Sequence, residues 1–302
     1  MESLRTPDEC FEDLPEYRYA ARYTDVPDTD GGTLCVHHVD AGGVDRPVVL
    51  LMHGEPSWSY LYRKMIPIFA EKGFRAIAPD LVGFGKSDKP VKTSDYTYQR
   101  HVDWMSDWLL QMRLRDITLV CQDWGGLIGL RLVAAHPHMF ARVVAANTGL
   151  PTGEHETPEA FLQWRKFSVE TPDFDAGAIV QMATVSTLPD DVVAAYNAPF
   201  PDDSYKAGAR IFPSLVPVNR DDPGAAENRE AWEVLRTFDK PFLTAFSDKD
   251  PITRGGERIF QHRIPGARDR GHVTIKGGGH FLQEDQGEQF AKVVIDFIRE
   301  TS

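Results

Sequence analysis

Leu119-Val120-Cys121-Gln122-Asp123-Trp124-Gly125-Gly126 leaves a run of apolar residues, turns through small ones and enters a second apolar run. Ile117 to Cys121 reads as a strand, and Gly125 to Ala135 as a helix that ends before Pro137. A tight strand-to-helix turn pushes one side chain out at the carboxyl edge of a sheet, which is the layout of a nucleophile elbow. The serine usual at its centre is Asp123 here, and the usual first glycine is Cys121. The bland alternative is an aspartate that caps the following helix. Taken alone, the octapeptide leaves the two readings balanced.

The surrounding chain supplies the sheet that an elbow needs. Val48-Val49-Leu50-Leu51-Met52, bounded by Pro47 and Gly54, reads as a strand buried on both faces. Leu61, Met65, Ile66 and Phe69 follow at helical spacing, and Arg75 to Ala78 is a second strand stopped by Pro79. Val102, Met105, Leu109 and Met112 mark one face of a helix over Tyr98 to Leu114. Phe140 to Ala146 is a strand after the elbow helix. This alternation predicts an α/β fold with a mostly parallel central sheet and right-handed crossovers.

The pattern then changes. Residues 152–224 are rich in Pro, Asp and aromatics and carry helical rather than strand signals, so they read as an inserted helical cap. Alternation resumes with a helix over Glu227 to Thr237, strands at Phe242 to Phe246 and Val273 to Ile275, and a closing helix over Glu288 to Arg299. The core domain is therefore expected to be discontinuous, 1–151 and 225–302. The opening segment to about Asp30 is polar and expected at the surface.

Composition narrows the function classes. The chain has 302 residues, 42% hydrophobic and 26% charged, which excludes a disordered or disulfide-scaffold protein. Lys and Arg total 33 against 45 Asp and Glu, a net charge of −12 that argues against nucleic acid or an anionic membrane as partner. Cys10, Cys35 and Cys121 form no CxxC and are expected to be free thiols in a reducing compartment. Met1 to Glu16 lacks the apolar run of a secretory signal, and no stretch approaches the roughly 20 apolar residues needed to span a bilayer. A cytoplasmic monomer is the default expectation.

Two later segments shift the balance at Asp123. The strand Phe242 to Phe246 runs into Ser247-Asp248-Lys249-Asp250-Pro251, and the last strand runs into Gly277-Gly278-Gly279-His280-Phe281. Nucleophile, acid and histidine thus occur in the chain order of an α/β-hydrolase. His53-Gly54-Glu55-Pro56 follows the first buried strand, where this fold places one backbone N–H of an oxyanion hole; the residue after the nucleophile supplies the other. That assigns the donors to the amides of Glu55 and Trp124. By itself His-Gly-Glu-Pro is an ordinary turn.

With these pieces laid out, the chain resembles the haloalkane dehalogenases of the α/β-hydrolase superfamily nearly end to end. The resemblance rests on His53-Gly54-Glu55-Pro56, on Pro79-Asp80-Leu81-Val82-Gly83-Phe84-Gly85-Lys86-Ser87 and on Gln122-Asp123-Trp124-Gly125-Gly126. Ala198-Pro199-Phe200-Pro201-Asp202 and Tyr205-Lys206-Ala207-Gly208 look like the branch typified by the enzyme that hydrolyses 1,2-dichloroethane. In that branch the acid lies after the later strand, so Asp250 is preferred to Asp248. The other large branch carries its acid just after the fourth strand, where this chain has Asn147, and has Asn in place of Glu55.

The resemblance implies displacement of halide by Asp123 to form an alkyl ester. His280 then serves as the base that activates water, and Asp250 orients it. A carboxylate nucleophile suits a saturated carbon, because the ester it forms can be opened by water whereas a serine ether could not. It is also ionised at neutral pH without help, from a reference pKa near 3.9. Halide would lie on the indole N–H groups of Trp124 and Trp164, the latter in Phe161-Leu162-Gln163-Trp164, with Phe161 lining the pocket. The implied partners are a small halogenated aliphatic substrate, water and the halide product, with no cofactor or metal.

Two rival readings stay open. An epoxide hydrolase shares the Asp–His–acid machinery and uses two cap tyrosines; Tyr196 and Tyr205 are the candidates. A non-catalytic binding protein on the same fold is the second, and the complete Asp123, Asp250, His280 set argues against it. A fluoroacetate dehalogenase would carry Arg after the nucleophile, where this chain has Trp124.

Overall fold

Val48–Met52 is buried at every position, as a strand covered by helices on both faces must be. It lies inside an eight-stranded sheet in the computed structural model, which describes residues 1–302. The strands are β1 (Arg22–Pro27), β2 (Thr33–Ala41), β3 (Val48–Met52), β4 (Arg75–Pro79), β5 (Ile117–Gln122), β6 (Phe140–Ala146), β7 (Phe242–Ser247) and β8 (Val273–Ile275). Their spatial order is β8-β7-β6-β5-β3-β4-β2-β1, and β2 alone runs opposite to the other seven. The carboxyl ends of β3, β5, β7 and β8 therefore open on one edge, where the loops bearing Glu55, Asp123, Asp250 and His280 emerge.

The edge hairpin of β1 and β2 is the main departure from the sequence reading. Along β1 only Val26 is buried, so the strand carries no apolar pattern. Along β2 the run Leu34 to Val39 is buried but contains His37 and His38. His37 Nδ1 lies 2.7 Å from the buried Asp80 carboxylate, and the His38 ring packs edge-on against Trp108. Adjacent residues of a strand face opposite sides of it, and both rings are buried.

The helices flank the sheet as α1 (Ile66–Glu71), α2 (Tyr98–Gln111) and α3 (Trp124–Ala135). Between β6 and β7 the chain makes no strand. It forms α4 (Glu159–Glu170), α5 (Ala176–Met182), α6 (Asp190–Asn197) and α7 (Ala207–Ile211), then α8 (Ala225–Leu235), which packs on α3. Phe174, Val180, Tyr196 and Phe212 of this stretch belong to the same contiguous cluster of 81 buried residues as the sheet. The helical insertion thus has no separate core. No helix is long and apolar enough to cross a membrane.

Two helices close the chain, α9 (Glu257–Arg263) and α10 (Leu282–Glu300). Helix α10 begins two residues after His280, earlier than the apolar periodicity indicates. Gln286, with φ −139° and ψ 34°, interrupts it after one turn.

A Cβ on Gly125, at the start of α3, would lie 2.1 Å from the carbonyl oxygen of Met52 at the end of β3. Helix and strand approach this closely only because the residue is glycine. Gly125→Ala is expected to cost about 1–3 kcal/mol of stability through overpacking, read as a lowered denaturation midpoint; an unchanged midpoint would contradict the close approach.

Candidate active site

Asp123 sits at φ 50° and ψ −128°, a strained conformation between β5 and α3. The turn lifts its carboxylate off the strand end, and its side chain makes no hydrogen bond to the helix it precedes, so the capping alternative fails. Asp123 N–H donates to the Asn147 carbonyl at 3.0 Å, and Thr148 Oγ1 donates to the Asp123 carbonyl at 2.7 Å. Gly54 makes room for the carboxylate, since a Cβ there would stand 2.2 Å from Asp123 Oδ1. Cys121, in the position usually held by glycine, is buried, with its thiol directed at the Val144 carbonyl and its pKa pushed up by burial.

Three sheet ends bring the charged groups together. His280 Nε2 lies 3.4 Å from Asp123 Oδ2, and His280 Nδ1 lies 3.0 Å from Asp250 Oδ2. Asp250 is 1% exposed and also accepts from the Ile252 amide at 2.9 Å and from the Thr253 hydroxyl. Burial pushes its pKa up, but the His280 charge and these donors hold it down at about 2. Burial alone would strip the proton from His280; Asp250 and then Asp123 outweigh it and push its pKa to about 10. Asp248 instead accepts from the Gly277 amide at 2.7 Å, leaving Asp250 as the partner of the histidine.

The Glu55 amide donates to Asp123 Oδ1 at 2.8 Å. The Glu55 side chain is buried and neither carboxyl oxygen has a hydrogen-bond partner. Burial, reinforced by the charge on Asp123, pushes the pKa of that carboxyl well above the usual range and so favours its neutral form. His53, two residues earlier, uses both ring nitrogens internally: Nδ1 lies 2.9 Å from the Gly54 carbonyl and Nε2 accepts from the Leu81 amide at 2.9 Å.

A cavity of about 680 Å³ opens above these groups, within the usual range for small-molecule sites. Asp123, His280, Glu55, Trp124, Phe161 and Trp164 all line it. Indole donors separate the six tryptophans. Trp58 and Trp232 donate to the carbonyls of Ala195 and Leu150. Trp104 and Trp108 are fully buried in the core. Trp104 and Trp108 lack an indole acceptor but lie away from the cavity, and Trp232 lines it with its donor already used, so Trp124 and Trp164 alone line it with an indole N–H that makes no protein hydrogen bond. Phe212 packs against the Trp124 ring with centroids 4.3 Å apart and holds it in place. No group of three or more His, Cys, Asp or Glu side chains converges as a metal-ligand set.

Two tyrosines proposed for the epoxide reading lie elsewhere. Tyr196 donates to Glu284, which is paired bidentately with Arg63 in a buried cluster, and neither Tyr196 nor Tyr205 lines the cavity. The sequence reading misses how Asn147 works. Its amide nitrogen donates to Ser247 Oγ and to the Gly279 and His280 carbonyls at 2.8–3.0 Å, while its Oδ1 accepts from the Ser247 amide. The only signal was that another branch places an acid there.

Comparison with known proteins supports the fold and shows the family. The family model described as alpha/beta hydrolase fold matches residues 47–286. A haloalkane dehalogenase of Psychrobacter cryohalolentis is 57% identical over 300 residues, covering 99% of each chain. One from Mycobacterium marinum is 49% identical, covering 98% of this chain and all of its own. The tetrameric structure of the haloalkane dehalogenase DpaA from Paraglaciecola agarilytica superposes with a TM-score of 0.89 at 32% identity, covering 98% of both chains.

The charge arrangement makes a prediction independent of turnover. The His280 imidazole, followed by NMR, should stay protonated far above the ordinary histidine value in the resting protein. Asp250→Asn and Asp123→Asn should each lower its midpoint, because each removes a charge that favours the proton. A midpoint near 6.5 in the unmodified protein would contradict the pairing.

Proposed function

We propose, from the premise that this chain belongs to the haloalkane dehalogenases within the α/β-hydrolase fold, that it converts haloalkanes to alcohol, halide and a proton through a covalent ester on Asp123. The observation that carries this reading is one cavity lined by an elbow aspartate, a histidine backed by Asp250, and two indole N–H groups with no protein acceptor. The elbow points Asp123 at the substrate carbon. In-line attack by its carboxylate forms the C–O bond as the carbon–halogen bond breaks, and the electron pair leaves with the halide. Negative charge grows on the leaving atom, where Trp124 and Trp164 stabilise it. The neutral Glu55 carboxyl adds no repulsion to either anion.

Esterification removes the charge of Asp123, one of the two groups holding the proton on His280. His280 then loses that proton to solvent and becomes a base. It takes a proton from water, whose oxygen adds to Cγ of the ester, and the oxyanion rests on the amides of Glu55 and Trp124. Collapse of this intermediate expels the alcohol and restores the Asp123 carboxylate beside protonated His280. The one proton of the net reaction thus leaves at the ester stage.

Residues 152–224 act as the cap, carrying Trp164 and Phe161 over a core of 1–151 and 225–302. Each site is completed within one chain, so a monomer suffices for the chemistry, and light scattering would distinguish it from a tetramer like that of the P. agarilytica relative. A cytoplasmic location fits the three free thiols. The engagement of Tyr196 with Glu284 weighs against the epoxide reading.

Halide release from dibromoethane and bromobutane, run beside styrene oxide hydrolysis, tests the assignment. Wild type should release halide and leave the epoxide intact, and Asp123→Ala should release none. Epoxide opening without halide release would reject the reading. Trp164→Phe, which keeps the ring but removes the donor, should lower halide release on the order of 10–1,000-fold, with Glu55→Gln staying within a few-fold of wild type because an amide replaces a neutral acid. A large loss in Glu55→Gln would mean that the carboxyl itself is required.

A further inference from the structure

Helix α10 opens with two acids that lie outside the machinery described above. Glu284 faces inward to Arg63, while Asp285 faces the strap that follows α5. The Asp285 carboxylate accepts from the amides of Val185 at 3.0 Å and Ser186 at 2.8 Å, and from the Ser186 hydroxyl. It also accepts from the Gly279 amide at 2.8 Å, immediately before His280. The His280 amide in turn donates to the Ala183 carbonyl at 2.8 Å. A Cβ on Gly279 would meet that same carbonyl at 2.5 Å, so the strap and the histidine loop lie in direct contact. The break at Gln286 ends the first turn of α10 immediately after Asp285. Met182, Ala183, Thr184 and Val185 line the same cavity as Gly279 and His280.

We propose that Asp285 is a positioning residue for the second half of the reaction: by tying the strap 183–186 to Gly279, it holds the His280 ring at the distance from Asp123 that water activation needs. The proposal rests on the alkyl-ester reading above. Several donors converge on one carboxylate that has no Lys or Arg partner, so its charge is spent on backbone amides, where such bonds are strong. The rigidity they give is directed at the loop that carries His280. Displacement of halide by Asp123 uses no proton from His280, so only ester hydrolysis should feel the loss.

The test is single-turnover kinetics on the full chain with bromobutane, following halide formation and alcohol formation separately. Wild type must form both; failure there would sink the dehalogenase reading whatever Asp285 does. With wild type active, Asp285→Ala should form halide within a few-fold of the wild-type rate. Its alcohol formation should slow on the order of 100-fold, the size of effect expected from a misplaced catalytic group. The butyl ester should accumulate on the protein, visible by mass spectrometry. Asp285→Asn keeps one acceptor oxygen and should fall between the two, which also serves if the alanine variant does not fold. Equal slowing of both steps, a change in KM alone, or a lowered melting temperature with both rates unchanged would overturn the proposal.

Discussion

A buried imidazole between two carboxylates is the interaction on which the site depends. His280 is 5% exposed and Asp250 1%, so neither charge can rely on water. A carboxylate in such a place must be paired and hydrogen-bonded, because leaving it alone is costly. The pairing is possible only where three separate strand ends meet, and the parallel order β8-β7-β6-β5 supplies that meeting. Asn147 then binds the pieces together, since its side chain spans the ends of β6 and β7 and the histidine loop. The same arrangement gives the chemistry its order: while Asp123 is charged the histidine holds its proton, and when Asp123 becomes an ester that hold weakens.

Much of this was legible in the residues, for identifiable reasons. Strands covered on both faces are mostly apolar, so Val48–Met52 stands out as an unbroken run, and Ile117–Gln122 and Phe140–Ala146 as runs broken only at Thr118, Gln122 and Arg142. The edge hairpin did not stand out, because Arg22–Pro27 buries only Val26 and Thr33–Ala41 carries two histidines whose partners, Asp80 and Trp108, are distant in sequence. The early start of α10 was hidden too, since the break at Gln286 interrupts its periodicity.

Within the site, Asp123 and His280 follow from chain order and turn composition. The choice between Asp248 and Asp250 does not, because a loop gives no periodicity from which to read side-chain direction; the resemblance favoured Asp250, and the geometry puts it on His280. Trp164 is likewise indistinguishable by sequence from the core tryptophans. What separates it is the combination: it lines the cavity, as Trp104 and Trp108 do not, and its donor makes no protein hydrogen bond, unlike that of Trp232. Tyr196 illustrates the reverse: a plausible catalytic tyrosine by location in the chain is taken up by a buried ion pair. The Asp285 contacts left no trace, since apart from the Ser186 hydroxyl they are to backbone amides, which carry no sequence signature.

The central claim is that Asp123 is covalently alkylated and that water attacks its carbonyl carbon rather than the substrate. One turnover in heavy-oxygen water, with enzyme in excess over bromobutane, tests it most directly. The first alcohol formed should carry ordinary oxygen from Asp123, and the heavy label should appear in the Asp123 carboxylate on peptide mass spectrometry. Heavy oxygen in the first alcohol, with Asp123 unlabelled, would mean direct attack by water and would contradict the account.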